Sequence, residues 1–85
     1  MRYSMKYSDI ISKRIKDLCS ERHITINKLA TLSGITQSTI EDIVSGRTKN
    51  PKLITLHHIT QGLNITMSEF FDFPEMNESL FDDEN

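Results

Sequence analysis

A single cysteine, Cys19, is all the thiol this 85-residue chain contains. No intramolecular disulfide framework can form, which fits a reducing, cytoplasmic setting. No apolar run approaches the roughly 20 residues that span a bilayer, and the opening MRYSMKYSDI lacks the apolar core of a secretory signal. No segment alternates apolar and polar residues with period two for long, so no strand is expected. The sequence also offers no nucleophile–base pair, no phosphate-cradling glycine loop and no metal-ligand set, which excludes an enzyme and implies no cofactor. His57 and His58 are adjacent; on a helix they diverge by about 100° and cannot chelate together. A chain of this length buries only about 60% of its unfolded surface, enough for one small core and little for a deep pocket.

Base is missing from one end of the chain. Residues 72–85 hold six acidic residues and no basic one, whereas residues 1–71 hold all 10 basic residues against six acids. The net charge of −2 therefore averages a domain at +4 with a tail at −6. Only the domain's charge bears on a phosphate-bearing partner.

What is present is helical periodicity. With Ser8 as its N-cap, a first helix is expected to run to about Arg22, with Ile11, Ile15 and Leu18 on one face. Thr25 caps a second helix that turns Leu29, Ala30 and Leu32 inward, and Ser33-Gly34 ends it, glycine being at no cost in the left-handed region. Thr36 caps a third, with Ile35, Ile40, Ile43 and Val44 on the inner side and Gln37, Ser38, Glu41 and Asp42 outward. A polar, basic loop, Arg47 to Lys52, leads to a fourth helix carrying Leu56, Ile59 and Leu63, which Asn64 closes. Thr66 to Glu69 has capping-box spacing for a short fifth helix holding Met67, Phe70 and Phe71. The expectation is an all-α domain over residues 1–71. A tail over 72–85 would be disordered, or ordered only on association with a partner protein.

Two short helices around Gly34, over about residues 26–45, have the layout of a helix-turn-helix unit. Leu29-Ala30, Gly34-Ile35, the run TQSTIEDI at 36–43, the loop G-R-T-K-x-P from Gly46 to Pro51, L-x-x-I-x-x-G-L from Leu56 to Leu63 and I-T-M-S-E-F-F at 65–71 follow in order. Together they resemble the lambda-repressor-like (Cro/repressor, XRE-type) helix-turn-helix family, over about residues 11–71. The resemblance implies a five-helix domain that binds a double-stranded DNA operator as a homodimer and regulates transcription, as a repressor. Its base-reading positions fall on Gln37, Ser38 and Asp42, with Thr39 and Glu41 close by. Its phosphate-contacting positions fall on Thr25, Ile26 and Asn27, on Thr36, and in the loop on Arg47, Thr48, Lys49 and Lys52.

The side chains suit these roles. A glutamine amide matches the N6/N7 edge of adenine, a pairing worth roughly 1–3 kcal/mol of discrimination. Serine and threonine hydroxyls serve either bases or phosphate. Each phosphate neutralised by a lysine or arginine adds about 0.9 to the salt slope of binding.

There are three departures from the family pattern. An arginine–glutamate pair common there is replaced by Cys19 and Val44, which are expected to lie close together in the core, since exchanging both charges for apolar groups avoids an orphaned ion. Ile26 leaves only its backbone N–H for phosphate. Asp42 beside Glu41 puts carboxylate on the reading face, able to accept from cytosine N4 but repelled by phosphate. The acidic tail and these carboxylates keep a second reading open, a protein-interaction or antitoxin-like module on the same fold.

Overall fold

The computed structural model describes residues 4–78 and 80–81, with side chains described over 6–78. Six helices account for most of it: α1 (Tyr7–Glu21), α2 (Ile26–Ser33), α3 (Gln37–Val44), α4 (Leu53–Leu63), α5 (Met67–Phe70) and α6 (Pro74–Glu78). Two-residue strands β1 (Ser4–Met5) and β2 (Leu80–Phe81) pair in parallel, Ser4 with Leu80 and Met5 with Phe81. No described helix is long and apolar enough to cross a membrane.

Threonine opens three of the helices. The Thr25, Thr36 and Thr66 hydroxyls each accept the backbone N–H three residues on, at 3.0, 3.1 and 3.0 Å, satisfying a donor that has no partner within the helix. Glu69 completes a capping box by accepting the Thr66 N–H at 2.8 Å. Gly34 and Asn64 stop α2 and α4 in the left-handed region, at φ 70° and 58°. The apolar faces meet in one core in which Ile10, Ile15, Leu29, Ile40, Ile59 and Phe70 are fully buried. α2 and α4 approach closely at Gly62, where an added Cβ would lie 2.3 Å from Ser33 Oγ and 2.9 Å from Ser33 N.

Several expectations change. α1 begins at Tyr7 after Lys6, and Ser8 is a buried residue of its first turn instead of the cap. Leu32 faces outward, 48% exposed; an eight-residue helix has too few turns for apolar spacing to fix the inner arc. Cys19 is buried and Val44 half-buried against the same core. Val44 meets α1 at Ser12, whose hydroxyl donates to its carbonyl, and Cys19 lies two helical turns further along.

The all-α fold class stands, and a sixth helix and two short strands add to the five helices expected; the described part of the acidic segment is folded, unlike a disordered tail. Phe73 is buried and Met76 packs against the core. Arg14 fastens this region to α1. Its Nε and Nη2 donate to the Phe70 and Glu69 carbonyls at 2.8 and 2.7 Å, and its guanidinium lies 4.8 Å from the Phe73 ring centroid. Asn77 donates back to the Phe71 and Phe73 carbonyls, both at 2.9 Å.

Candidate nucleic-acid interface

α2 and α3 are joined by Gly34, Ile35 and Thr36, and the turn is closed by backbone bonds. Gly34 donates to Thr31, and Ile35 to Ala30, at 3.3 and 3.1 Å. Ile40 and Ile43 anchor the inner face of α3 in the core. The period of 3.6 residues then turns Gln37, Ser38 and Glu41 to solvent, with Thr39 exposed beside them. Thr36 and Thr39 share a hydroxyl–hydroxyl bond of 2.8 Å, which fixes both side chains at the start of the helix. Small polar groups on the first turn of a helix braced by its predecessor suit approach to a groove.

The face is already partly paired. Gln37 Nε2 donates to Glu41 Oε2 at 2.8 Å, which leaves the amide oxygen and one N–H outward. Asp42 is half-buried, and its carboxylate accepts from Arg47 Nε at 2.9 Å. Its carbonyl accepts the Thr48 N–H at 3.0 Å and the Ser45 hydroxyl at 3.3 Å. Asp42 therefore ties the loop after α3 to the helix, and its charge is answered by Arg47. That bridge crosses a helix end, so the repeat within α3 gives no sign of it.

The expected backbone contacts form a rim around this face. Thr25 and Asn27 are exposed at the start of α2, and the N–H of Ile26 lies in the same first turn. The Ile26 side chain is half-buried against the core, so it adds packing and no polar group. Thr36 is exposed at the turn, as are Arg47, Lys49 and Lys52 in and after the loop, with Thr48 half-buried between them. Among residues 25–52 there are four cations, Lys28 included, and two carboxylates. Between α3 and the start of α4 a cleft of about 350 Å³ brings Thr39 and Asp42 opposite Thr48, Lys52, Asn50 and Thr55. Asn50 and Thr55 were not expected there. Asn50 occupies the variable position of the loop pattern, and Thr55 reads as one more residue of an amphipathic helix.

Cys19 takes no part in this surface. Burial pushes its thiol above the usual pKa, countered only in part by the nearby Arg22 charge, which makes it a poor nucleophile. Among the described residues no group of His, Cys, Asp and Glu is arranged to hold a metal.

A family model described as a Cro/C1-type HTH DNA-binding domain matches residues 14–75. The chain belongs to this family. Two solved structures are similar to the chain. The prophage Lp1 protein 11 is 35% identical, with a TM-score of 0.77, over 92% of this chain and 99% of its own. A point mutant of the restriction-modification controller protein C.Esp1396I is 26% identical, with a TM-score of 0.71, over 76% of this chain and 81% of its own. No curated protein matches. The Cro/C1-type match reaches four residues past Phe71 and takes in the buried Phe73.

Proposed function

We propose that the protein is a sequence-specific double-stranded DNA-binding regulator of transcription that acts as a repressor by occupying its operator, with α3 in the major groove. The observation that carries this reading is the exposed first turn of α3, held at a fixed angle by α2 and the core. Gln37, Ser38 and Thr39, with Glu41 a turn later, meet the base edges. Gln37 exchanges its bond to Glu41 for an adenine edge, or shares it, so Glu41 tunes the cost of that exchange. Thr25, the Ile26 N–H, Asn27, Thr36, Thr48, Lys49 and Lys52 hold the phosphates on either side, and Arg47 does so while bridged to Asp42. The restriction-modification controller is a regulator by its description, and it supports the same role here.

The protein binds as a homodimer through the outer face of α4. Leu53 and Ile54 are 69% and 58% exposed, and with His57 and Met67 they line an open apolar groove of about 460 Å³. Exposed side chains of this size, next to each other, favour a self-complementary contact that excludes water.

Selection from a random duplex library, followed by titration of the enriched sequence, tests the reading. A symmetric site with a strongly salt-dependent affinity is expected. No enrichment, and no binding even at low salt, would overturn it. Replacing Gln37 with Ala is expected to relax base preference at one position per half-site, whereas Lys49→Ala weakens all sequences alike. Sedimentation of Leu53→Glu/Ile54→Glu against the parent chain tests the dimer face; an unchanged dimer excludes it.

A further inference from the structure

We propose that Glu41 is a positioning residue of the reading face: it takes the Gln37 amide hydrogen that points away from Oε1, and so sets Gln37 to accept adenine and discriminate against guanine. The discrimination rests on the DNA-binding reading above; the setting of the amide in the free protein does not.

The setting follows from what each group can do. Gln37 is the first residue of α3 and Glu41 lies four residues on, so the two exposed side chains are neighbours on one face. An ionised carboxylate only accepts, whereas a glutamine amide donates at one end and accepts at the other. The terminal torsion of a free glutamine is broad and roughly two-fold, so either end can face a base. The 2.8 Å bond from Gln37 Nε2 to Glu41 Oε2 admits only one arrangement, with nitrogen toward Glu41. Oε1 and the second hydrogen then form one edge of the amide.

That edge fits one purine. Adenine presents an N6–H donor beside its N7 acceptor in the major groove, and both are met while the bond to Glu41 stays intact. Guanine presents two acceptors, O6 and N7. Gln37 serves both only by giving up the hydrogen that Glu41 holds; otherwise Oε1 is set against O6. Glu41 thus penalises the wrong purine without touching it.

The neighbours of Glu41 leave it to this task. Asp42, beside it, is answered by Arg47, whereas Glu41 forms no ion pair among the described residues. The Thr36 and Thr39 hydroxyls are bonded to each other, not to the amide. An unanswered carboxylate facing phosphate weakens binding to every sequence alike. Its bond to Gln37 is the contact through which it favours one sequence over another.

The test separates the charge of Glu41 from its acceptance of the amide. Glu41→Gln loses the charge but still offers a carbonyl oxygen to Gln37; Glu41→Ala loses both. Duplexes of the selected operator are varied at the position that Gln37→Ala relaxes. Both Glu41 variants are expected to bind all of them about two- to fivefold more tightly at low salt. A bidentate pair discriminates by roughly 5- to 150-fold, and Glu41→Ala is expected to lower the preference for adenine over guanine by about three- to tenfold, while Glu41→Gln retains most of it. An unchanged preference in Glu41→Ala would overturn the positioning role, as would an equal loss in Glu41→Gln. A change at a different base position would make Glu41 a reader in its own right and overturn it too. In ¹H–¹⁵N spectra of the free protein, the Gln37 side-chain NH₂ resonances are expected to move in Glu41→Ala and to move less in Glu41→Gln. Unmoved resonances in Glu41→Ala would overturn the held amide, whatever DNA does. If no duplex binds, or Gln37→Ala relaxes no position, base reading by Gln37 fails and the discrimination with it, while the spectra still decide the setting of the amide.

Discussion

The helices of this protein begin in two ways. α2, α3 and α5 open on threonine, whose hydroxyl closes the first turn internally. α1 and α4 open on Lys6 and Lys52, extended residues whose side chains can only donate and which form no side-chain cap bond. The threonine-opened ends are locally self-sufficient and put side chains, not backbone, on the surface. The lysine-opened ends carry a positive charge in place of a side-chain cap. In the functional reading above, the α4 end meets DNA phosphate. At the start of α4 a lysine gives up a cap in exchange for phosphate affinity, and that exchange is measurable.

The largest effect tests the frame on which both kinds of end depend. Gly62 sets the spacing of α2 against α4, and with it the place of the α4 start beside α3. In Gly62→Ala the new methyl meets the Ser33 backbone nitrogen at 2.9 Å and the Leu32 carbonyl carbon at 3.1 Å, so a helix must move. A loss of about 1–3 kcal/mol in chemical denaturation is expected. Gly34→Ala meets nothing within 4 Å and suffers only the left-handed backbone at φ 70°, about 1 kcal/mol. If the two cost the same, close helix approach is not what Gly62 provides.

Next come paired changes that convert one kind of end into the other. Thr36→Ala removes a cap and the bond to Thr39, and is expected to cost about 1 kcal/mol of stability. Lys52→Ser installs an acceptor at an extended N-cap, φ −66° and ψ 141°, and is expected to stabilise by up to about 1 kcal/mol. The same substitution should lower the salt slope of DNA binding by about 0.9. Stability rising while DNA affinity falls is the outcome that sharpens the contrast. If Lys52→Ser leaves affinity and salt slope unchanged, the α4 end is not a phosphate contact.

The threonine-opened ends could be read from sequence because a cap is local: Thr25, Thr36 and Thr66 sit at fixed offsets from apolar repeats, and Gly34 and Asn64 mark stops the same way. Most of the exposed first turn of α3 followed from that register alone. What could not be read was set by partners far along the chain. Phe73 was grouped with the acidic residues around it, yet Arg14, 59 positions earlier, covers its ring. The β1–β2 pair joins residues 76 apart over two positions each, too short for any periodic signal. Asp42 falls on a base-reading position of the family; its pairing with Arg47 depends on how the loop folds back. Lys6 was passed over as a helix start because Ser8 is the better capping residue by propensity, and burial of Ser8 overrode that preference.

The smallest effect concerns the one threonine-opened end that also uses a carboxylate. The Thr66 backbone N–H, and then its hydroxyl, hold the Glu69 carboxyl below its ordinary pKa. A depressed folded-state value means the contribution is fully present above the unfolded pKa of about 4.3 and is lost as pH falls through the lower folded value. Glu69→Gln keeps an acceptor for the Thr66 N–H but removes the charge from the first turn of α5. Its melting temperature is expected to lie slightly below the parent's at pH 7, and the gap to close as the pH falls below about 4. The group is exposed, so added salt should narrow the same gap at neutral pH. A gap that persists undiminished in acid would show that the box works through packing or hydrogen-bond geometry alone, with the carboxylate charge irrelevant to it.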